Sequence, residues 1–324
     1  MAEFKDNFFL LFSSFSSKLA LFRSVTEQAQ LVSSHFTVLG ADSDENCLGA
    51  KQTENFITIP LIRDLSREDV LEYCQKNDIR YIIPTRDAEL VFWAEKEQYL
   101  LREGIGVMIS ACSAISICED KFKFFQHLRD APVQPIETCL SAHELTSEND
   151  RFVVKERSGS ASRLISLNTK RDEIDFFSSR LTEPIFQPQI TGREFSAETW
   201  IDQKGKCHGV VLRWRIKVVN GESHETVTFS NPEWAQKIIQ TFSMIAGLKG
   251  HVLAQVIVDN EENLHLVEIN PRLGGASPLS IAAGLNSIKW SLLEFLDRSE
   301  EIPAFPDFTY GLRLSKKNQQ VLIR

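Results

Sequence analysis

The 324-residue sequence predicts an α/β domain built on an open, mostly parallel sheet, followed by an α+β unit rich in hairpins. Three observations carry that expectation. Over the first 117 or so residues, short apolar runs alternate with helical patterns, the mark of strands covered on both faces by crossover helices. Beyond them, β-rich runs come in pairs joined by polar or small-residue turns. Finally, the stretch Gln255 to Gly275, QVIVDNEENLHLVEINPRLGG, gathers several oxygen-bearing side chains on one hairpin.

Taken in order, Phe8 to Phe12 (FFLLF) is a strand buried on both faces, Leu19 to about Ser33 a helix, and Phe36 to Asp42 (FTVLGAD) a second strand. This is the opening βαβ of a doubly wound domain. The turn between first strand and helix, Ser13 to Ser17, holds no glycine, so a pyrophosphate has no close approach to the backbone and dinucleotide binding is rejected there. Glu54 to Pro60 is a short strand. Ser66 N-caps a helix over Leu65 to Asn77, with Asp69 completing a capping box. Arg80 to Pro84 is a strand, Asp87 to Glu103 a helix, Gly106 to Ser110 the last strand and Ala111 to Cys118 a short helix. Asp87 and Glu89 follow a strand end, where ligands gather in such sheets. They suit an amine-bearing substrate, or equally a helix N-terminus that favours acids. Lys18 is similarly open between a substrate contact and a structural role.

In the second part, Glu119 to Thr138 is a helix carrying Lys121 that breaks at Ala131-Pro132. Arg151 to Leu167 reads strand, loop, strand: Lys155 ends the first strand and Ser158 to Ser162 are five small residues. Such a loop can fold its N–H groups over phosphates beside a neutralising lysine. Pro184 to Ile201 is a strand, a turn at Thr191-Gly192 and a returning strand. Gly209 to Ser223 is one long strand with Arg213, Arg215 and Lys217 on one face, where like charges require a facing anion, whether substrate or water. Asn231 to Gly247 and Pro278 to Leu296 are helices, and the residues after Glu301 fold back as an extended strand.

The central hairpin pairs His251–Asp259 with Leu264–Asn270. If Asp259 and Leu264 close the loop, pairing runs through Ile257 and Leu266 to Gln255 opposite Glu268, and Asn270 shares their face. A carboxylate and two amides on an otherwise apolar hairpin need a partner. Mg²⁺, which takes one or two carboxylates and shares its shell with phosphates and water, is the natural one. Arg272, after Pro271, reaches toward the same phosphates.

At this point VEINPRLGGAS resembles the metal-binding strand and following loop of the ATP-grasp superfamily. The likeness is to the branch related to the carbamoyl-phosphate synthase large subunit and to stand-alone carboxylate–amine ligases. It implies a pre-ATP-grasp domain over 1–117, where IPTRDAEL (Ile83 to Leu90) matches a recurrent stretch, and an ATP-grasp domain over 118–324. The latter divides into a flap subdomain at about 119–185 and a catalytic subdomain at about 186–324. It implies Gln255, Glu268 and Asn270 as ligands of one or two Mg²⁺ (Mn²⁺ can substitute), Arg272 on phosphate, and Lys121, in the matching run Asp120, Lys121, Phe124, Leu128, Pro132, Pro135, on nucleotide phosphate. Lys155, Ser158, Gly159, Ser160 and Ser162 correspond to the phosphate-covering loop, with departures at Glu156 and Ala161. The hinge Phe186, Gln187 and Pro188 would meet adenine through its backbone, and Glu194 the ribose.

The activity so implied is an ATP-dependent ligase joining a carboxylate to an amine through an acyl phosphate, with Lys155, Arg213, Arg215 and Arg272 as catalytic groups. Alternatives are a carboxyphosphate or carbamoyl-phosphate type of enzyme working with partners, and a nucleotide-binding regulatory protein without turnover. Composition sets the class: 43% hydrophobic, 25% charged, net charge −8. With no long basic run, a nucleic-acid partner is not expected. The six cysteines show no metal-ligand spacing, and the run Phe8 to Phe12 is too short for a membrane span, so a reduced cytoplasmic protein is expected, its partners small molecules and a second copy in a homodimer.

Overall fold

The computed structural model describes residues 8–145, 150–159, 165–304, 306–317 and 320–324. Its N-terminal part runs β1 (Phe8–Phe12), α1 (Leu19–Gln30), β2 (Phe36–Asp42), β3 (Phe56–Thr58), α2 (Arg67–Lys76), β4 (Ile79–Ile83), α3 (Leu90–Arg102) and β5 (Gly106–Val107). The five strands form one parallel sheet in the order β3-β2-β1-β4-β5. β1 sits at its centre because FFLLF offers apolar side chains to both faces, and Leu10, Leu11 and Phe12 are wholly buried. The capping box of α2 forms, with Ser66 accepting from the Asp69 N–H. Strand order reverses between β1 and β4, so a crevice opens beyond their C-terminal ends. Phe15 fills the turn after β1. A Cβ at Gly40 would lie 2.3 Å from its ring and one at Gly49 2.7 Å, so those two glycines serve the packing of an aromatic side chain.

α4 (Cys112–Glu119) and α5 (Lys121–Leu128) lead into a small antiparallel sheet. It comprises β6 (Arg151–Glu156), β7 (Ile165–Lys170) and, after α6 (Ile174–Ser178), β8 (Pro184–Pro188), in the order β7-β6-β8. The largest sheet is built from β9 (Gly192–Ile201), β10 (Val211–Val219), β11 (Glu222–Phe229), β12 (Gly250–Asp259) and β13 (Leu264–Asn270) with the C-terminal hairpin β14 (Arg313–Lys317) and β15 (Gln320–Ile323). α7 (Pro232–Ser243) lies between β11 and β12, and α8 (Ser277–Ala282) and α9 (Ser287–Phe295) follow β13. The strand order is β13-β12-β9-β10-β11-β14-β15. One apolar cluster holds Phe12, Phe22 and Val38 together with Leu273, Ile281, Ile288 and Leu292. The loop and helices after β13 are therefore packed onto the N-terminal sheet. Among the described residues no helix is long and apolar enough to cross a membrane.

Three expectations are corrected. The single strand from Gly209 to Ser223 is a hairpin: Asn220 and Gly221 both take positive φ, and the chain returns as β11. The helix from Pro278 to Leu296 is two helices, broken at Gly284. There φ is +111° and a Cβ would stand 2.6 Å from the Asp307 carbonyl oxygen, so the chain turns where no side chain fits. The hairpin β12–β13 keeps the pair Gln255–Glu268 but starts one residue out, with Val258 opposite Leu264 and Val256 opposite Leu266. A bulge at Val267 restores the register. Without it, Glu268 would share the face of Leu266, which is in the core; with it, Leu266 and Ile269 both face inward and Glu268 and Asn270 are half-buried on the other side.

Candidate active site

On that other face the three expected side chains meet. Gln255 Nε2 and Asn270 Nδ2 each donate to Glu268 Oε1 at 2.7 Å. Direct pairing continues the row across four strands, from Glu268 to Gln255 to Ser196 to Arg213. Among the described residues no group of three or more His, Cys, Asp or Glu side chains is placed to hold a metal. The donor set here is one carboxylate and two amides, which suits a hard cation that completes its shell with phosphate and water oxygens.

The cations expected around this centre converge on it. Lys155, next to last in β6, is half-buried; burial, reinforced by Lys121, pushes its ammonium down to about 8, against the pull of Glu268. Lys121, the first residue of α5, is also lowered by burial and drawn up first by Glu268. Its Nζ donates to the carbonyls of Gly159 (3.0 Å) and Arg157 (3.3 Å), so it ties the helix to the small-residue loop. Ser158 and Gly159 are exposed; Ser160 and Ser162 lie outside the described residues. Arg272 closes a two-point ion pair with Asp87, Nη2 to Oδ2 at 2.6 Å, so the loop after β13 is held to the turn after β4. Burial disfavours its charge, but Asp87 and then Glu268 outweigh that and raise its pKa.

The anions facing Arg213 and Arg215 are carboxylates of β9. Arg213, 1% exposed, donates from Nε to Glu198 Oε1 at 2.9 Å, and Arg215 Nε lies 2.9 Å from Glu194 Oε1. The Arg213–Glu198 pair is diagonal across the β9–β10 ladder, Arg213 standing directly opposite Ser196, while the same register carried one residue further sets Arg215 opposite Glu194. Burial raises the Glu194 pKa, Arg215 opposing and Glu268 adding to it. Lys217 is exposed. At the hinge, the Phe186 N–H and carbonyl both bond to the backbone of Cys139, and Gln187 and Pro188 pair with β6. The Phe186 N–H and carbonyl are thus both engaged within the protein backbone. Gln187 Nε2 donates to Thr138 Oγ1 at 2.7 Å.

Several site-shaping contacts escaped the sequence reading. Asp120 caps α5 and accepts two bonds from Arg157, at 2.9 and 2.7 Å, forming the stem of the small-residue loop. Glu156, which departs from the family pattern, accepts the N–H groups of Thr182 (2.7 Å) and Glu183 (3.0 Å). Glu89 is buried and accepts from Ser13 Oγ, the N–H groups of Thr85 and Arg86, and Trp93 Nε1, so it is a bracket of the N-terminal sheet. Behind the site, His251 Nε2 lies 3.2 Å from Glu198 Oε2 and its Nδ1 3.0 Å from Ser287 Oγ. Ser277 Oγ sits 3.3 Å from His251 Nε2 and accepts the Gly274 N–H at 2.7 Å. A buried polar chain thus runs from Arg213 to the glycine loop. The available signal was Glu194 and Glu198 alternating in an apolar strand opposite two arginines.

A three-stranded sheet carrying Lys155 and a long antiparallel sheet bearing a carboxylate–amide triad thus supply the side chains of this centre. Residues 118–276 match the model of the ATP-grasp domain, so the chain carries a domain of the ATP-grasp superfamily. No curated protein matches the sequence. Among solved structures it is similar to biotin carboxylase from Campylobacter jejuni (TM-score 0.74, 13% identity, covering 96% of this chain and 75% of that one). N5-carboxyaminoimidazole synthetase from Staphylococcus aureus, complexed with ADP, gives 0.73 at 15% identity over 95% and 82%. The L-amino acid ligase from Bacillus licheniformis gives 0.71 at 16% over 96% and 79%. At these identities the likeness is one of fold.

Proposed function

We propose that the chain is an ATP-dependent carboxylate–amine ligase that forms an amide through an acyl phosphate and releases ADP and phosphate. The observation that carries this reading is the convergence on Glu268, whose charge acts on Lys121, Lys155, Glu194, Arg215 and Arg272, residues from five segments. We take 1–117 and 118–324 as its two domains, with the site at the foot of the flap. Lys121 and Lys155 bind nucleotide phosphate, and Glu194 accepts from the ribose hydroxyls. The oxygens of Glu268, Gln255 and Asn270 would hold Mg²⁺, which when bound would neutralise phosphate charge during transfer. Ser196 Oγ and Arg213 Nη1, buried donors without a hydrogen-bond partner among the described residues, stand in the row that begins at Glu268 and suit the substrate carboxylate.

In the first step a carboxylate oxygen attacks the γ-phosphorus, the bond to the β–γ bridging oxygen breaks and ADP leaves. The amine nitrogen then attacks the acyl carbon, the carbon–oxygen bond to phosphate breaks and the nitrogen loses a proton. Lys155 and Arg272 stabilise charge on the transferring group, and no side-chain nucleophile is needed. The loop from Ser158 excludes water from the acyl phosphate. The fold likeness to biotin carboxylase supports a second reading, in which bicarbonate is the acid. The test is isotopic. With the substrate acid labelled with ¹⁸O in both carboxylate oxygens, one label must appear in the released phosphate and one remain in the amide. Phosphate free of label contradicts the acyl phosphate, and turnover that depends on bicarbonate alone favours the second reading.

A further inference from the structure

We propose, building on the ligase reading, that His251 is a positioning residue that joins the two ends of the reacting centre. Through Glu198 it sets Arg213, and through Ser277 it sets the loop that carries Arg272. On β12, His251, Leu253 and Gln255 share one face by period-two alternation, and β9 places Trp200, Glu198 and Ser196 directly opposite them. The imidazole therefore lies on the strand face that bears Gln255. Glu198, Arg213, His251, Ser277 and Ser287 are all buried. His251 Nε2 stands 3.2 Å from Glu198 Oε2 and 3.3 Å from Ser277 Oγ, and its Nδ1 stands 3.0 Å from Ser287 Oγ. A carboxylate only accepts, so Nε2 carries the hydrogen and Nδ1 accepts from the Ser287 hydroxyl.

Each arm of this chain ends on a group the proposed reaction uses. Arg213 commits Nε and Nη2 to Glu198 Oε1, which leaves Nη1 for substrate in the row with Ser196. The direction of that remaining donor follows the Glu198 carboxylate. Among the described residues no other group donates to Glu198 Oε2, so the imidazole sets the plane of the carboxylate. On the other arm, Ser277 Oγ accepts the Gly274 N–H at 2.7 Å, and the Ser277 N–H donates to the Gly274 carbonyl at 3.0 Å. The loop lies this close to the sheet because Gly274 has no side chain: a Cβ there would stand 2.9 Å from Leu253 Cδ2. Arg272 enters the loop just ahead of that clamp. For stability alone, well-packed apolar side chains would serve a buried site as well as an ion pair does. A polar chain from a carboxylate-facing arginine to a phosphate-facing loop instead fixes the separation of the two groups that must react.

The test measures ADP release by the full chain with Mg·ATP and a panel of amino acids and small carboxylates. His251→Phe keeps a ring and removes both nitrogens. It should lower kcat about ten- to hundredfold and raise KM for the stimulating acid at least about fivefold, with the ATP KM changed less than about twofold. His251→Gln, whose amide can donate to Glu198, should bring the acid KM back to within about threefold of the unaltered chain. Ser277→Ala cuts the loop arm alone and should lower kcat with the acid KM unchanged; added to His251→Phe it should lower kcat no further, because both break one link. A readout on the unaltered chain covers the case in which His251→Phe does not fold. Nitrogen NMR of the imidazoles, with His251→Gln for assignment, should show the His251 signal move when Mg·ADP binds with aluminium fluoride, a stand-in for the phosphoryl group in transfer. Unchanged kcat and acid KM in His251→Phe, equal losses in the Phe and Gln variants, or a His251 signal indifferent to Mg·ADP with aluminium fluoride would overturn the proposal and leave the ligase reading intact. An unaltered chain that binds Mg·ATP yet responds to no carboxylate would remove both.

Discussion

Arg272 and Asp87 form a two-point ion pair that fastens the loop after β13 to the turn after β4, joining the N-terminal sheet to the large antiparallel one. Both side chains are under 20% exposed, so removing one partner leaves a half-buried charge. Asp87→Asn is predicted to destabilise the protein by about 2–4 kcal/mol. Chemical denaturation checks this. An unchanged midpoint would mean that the pair contributes nothing to holding the two parts together.

Lys155 ties nucleotide binding to pH. Its ammonium titrates at about 8, because burial and Lys121 disfavour its charge. The folded pKa lies below the unfolded one, so the cost of burying the charge is full below pH 8 and is relieved as pH rises from there toward the ordinary lysine range. Phosphate binding has the opposite sign, since it needs the protonated form. The Kd for Mg·ATP is predicted to weaken about tenfold for each unit above pH 8, and Lys155→Arg to flatten that profile. Calorimetric titration at pH 7, 8 and 9 measures it; equal affinities would show that Lys155 does not bind phosphate.

The flap loop is held at its stem by Asp120 and Arg157 and along its edge by Lys121 and Gly159. Arg157→Gln is predicted to raise the KM for ATP by about three- to tenfold with little change in fold stability, because the ion pair is partly solvent-exposed. Proteolysis within the loop should become faster. A KM unchanged beside faster cleavage would separate loop order from nucleotide binding.

Glu198 is buried between Arg213 and His251. Burial alone would raise its pKa, but the Arg213 guanidinium and the hydrogen bond from His251 hold it well below the carboxylate range. Its contribution is therefore present above the unfolded pKa and lost only as pH falls far below it. Glu198→Gln should cost about 3–5 kcal/mol by stranding Arg213, whereas Glu198→Met with Arg213→Met should recover most of that. Activity should not recover in the double variant if Arg213 meets substrate. Full recovery of activity would assign the pair to stability alone.

The parallel sheet was legible because each strand is an apolar run and each helix begins at a recognisable signal, as Ser66 and Asp69 do. The triad was legible because period-two alternation gathers Gln255, Glu268 and Asn270. What stayed hidden depends on partners distant in sequence or on a local break in the period. The bulge at Val267 leaves no compositional trace, yet it alone turns Glu268 away from the core. Asn220-Gly221 is a strong hairpin signal masked by the unbroken alternation of the run before it. Arg213 and Arg215 looked unpaired because Glu198 and Glu194 come from a strand whose register only the fold sets. Arg272 looked destined for phosphate alone, because its partner Asp87 lies 185 residues away.

The most direct measurement is ADP release with Mg·ATP across a panel of amino acids and small carboxylates, with Glu268→Ala as the control. The account predicts release that rises when one acid and one amine are present together and falls at least about a hundredfold in the variant. Release that is indifferent to both substrates, or that survives in Glu268→Ala, would contradict it.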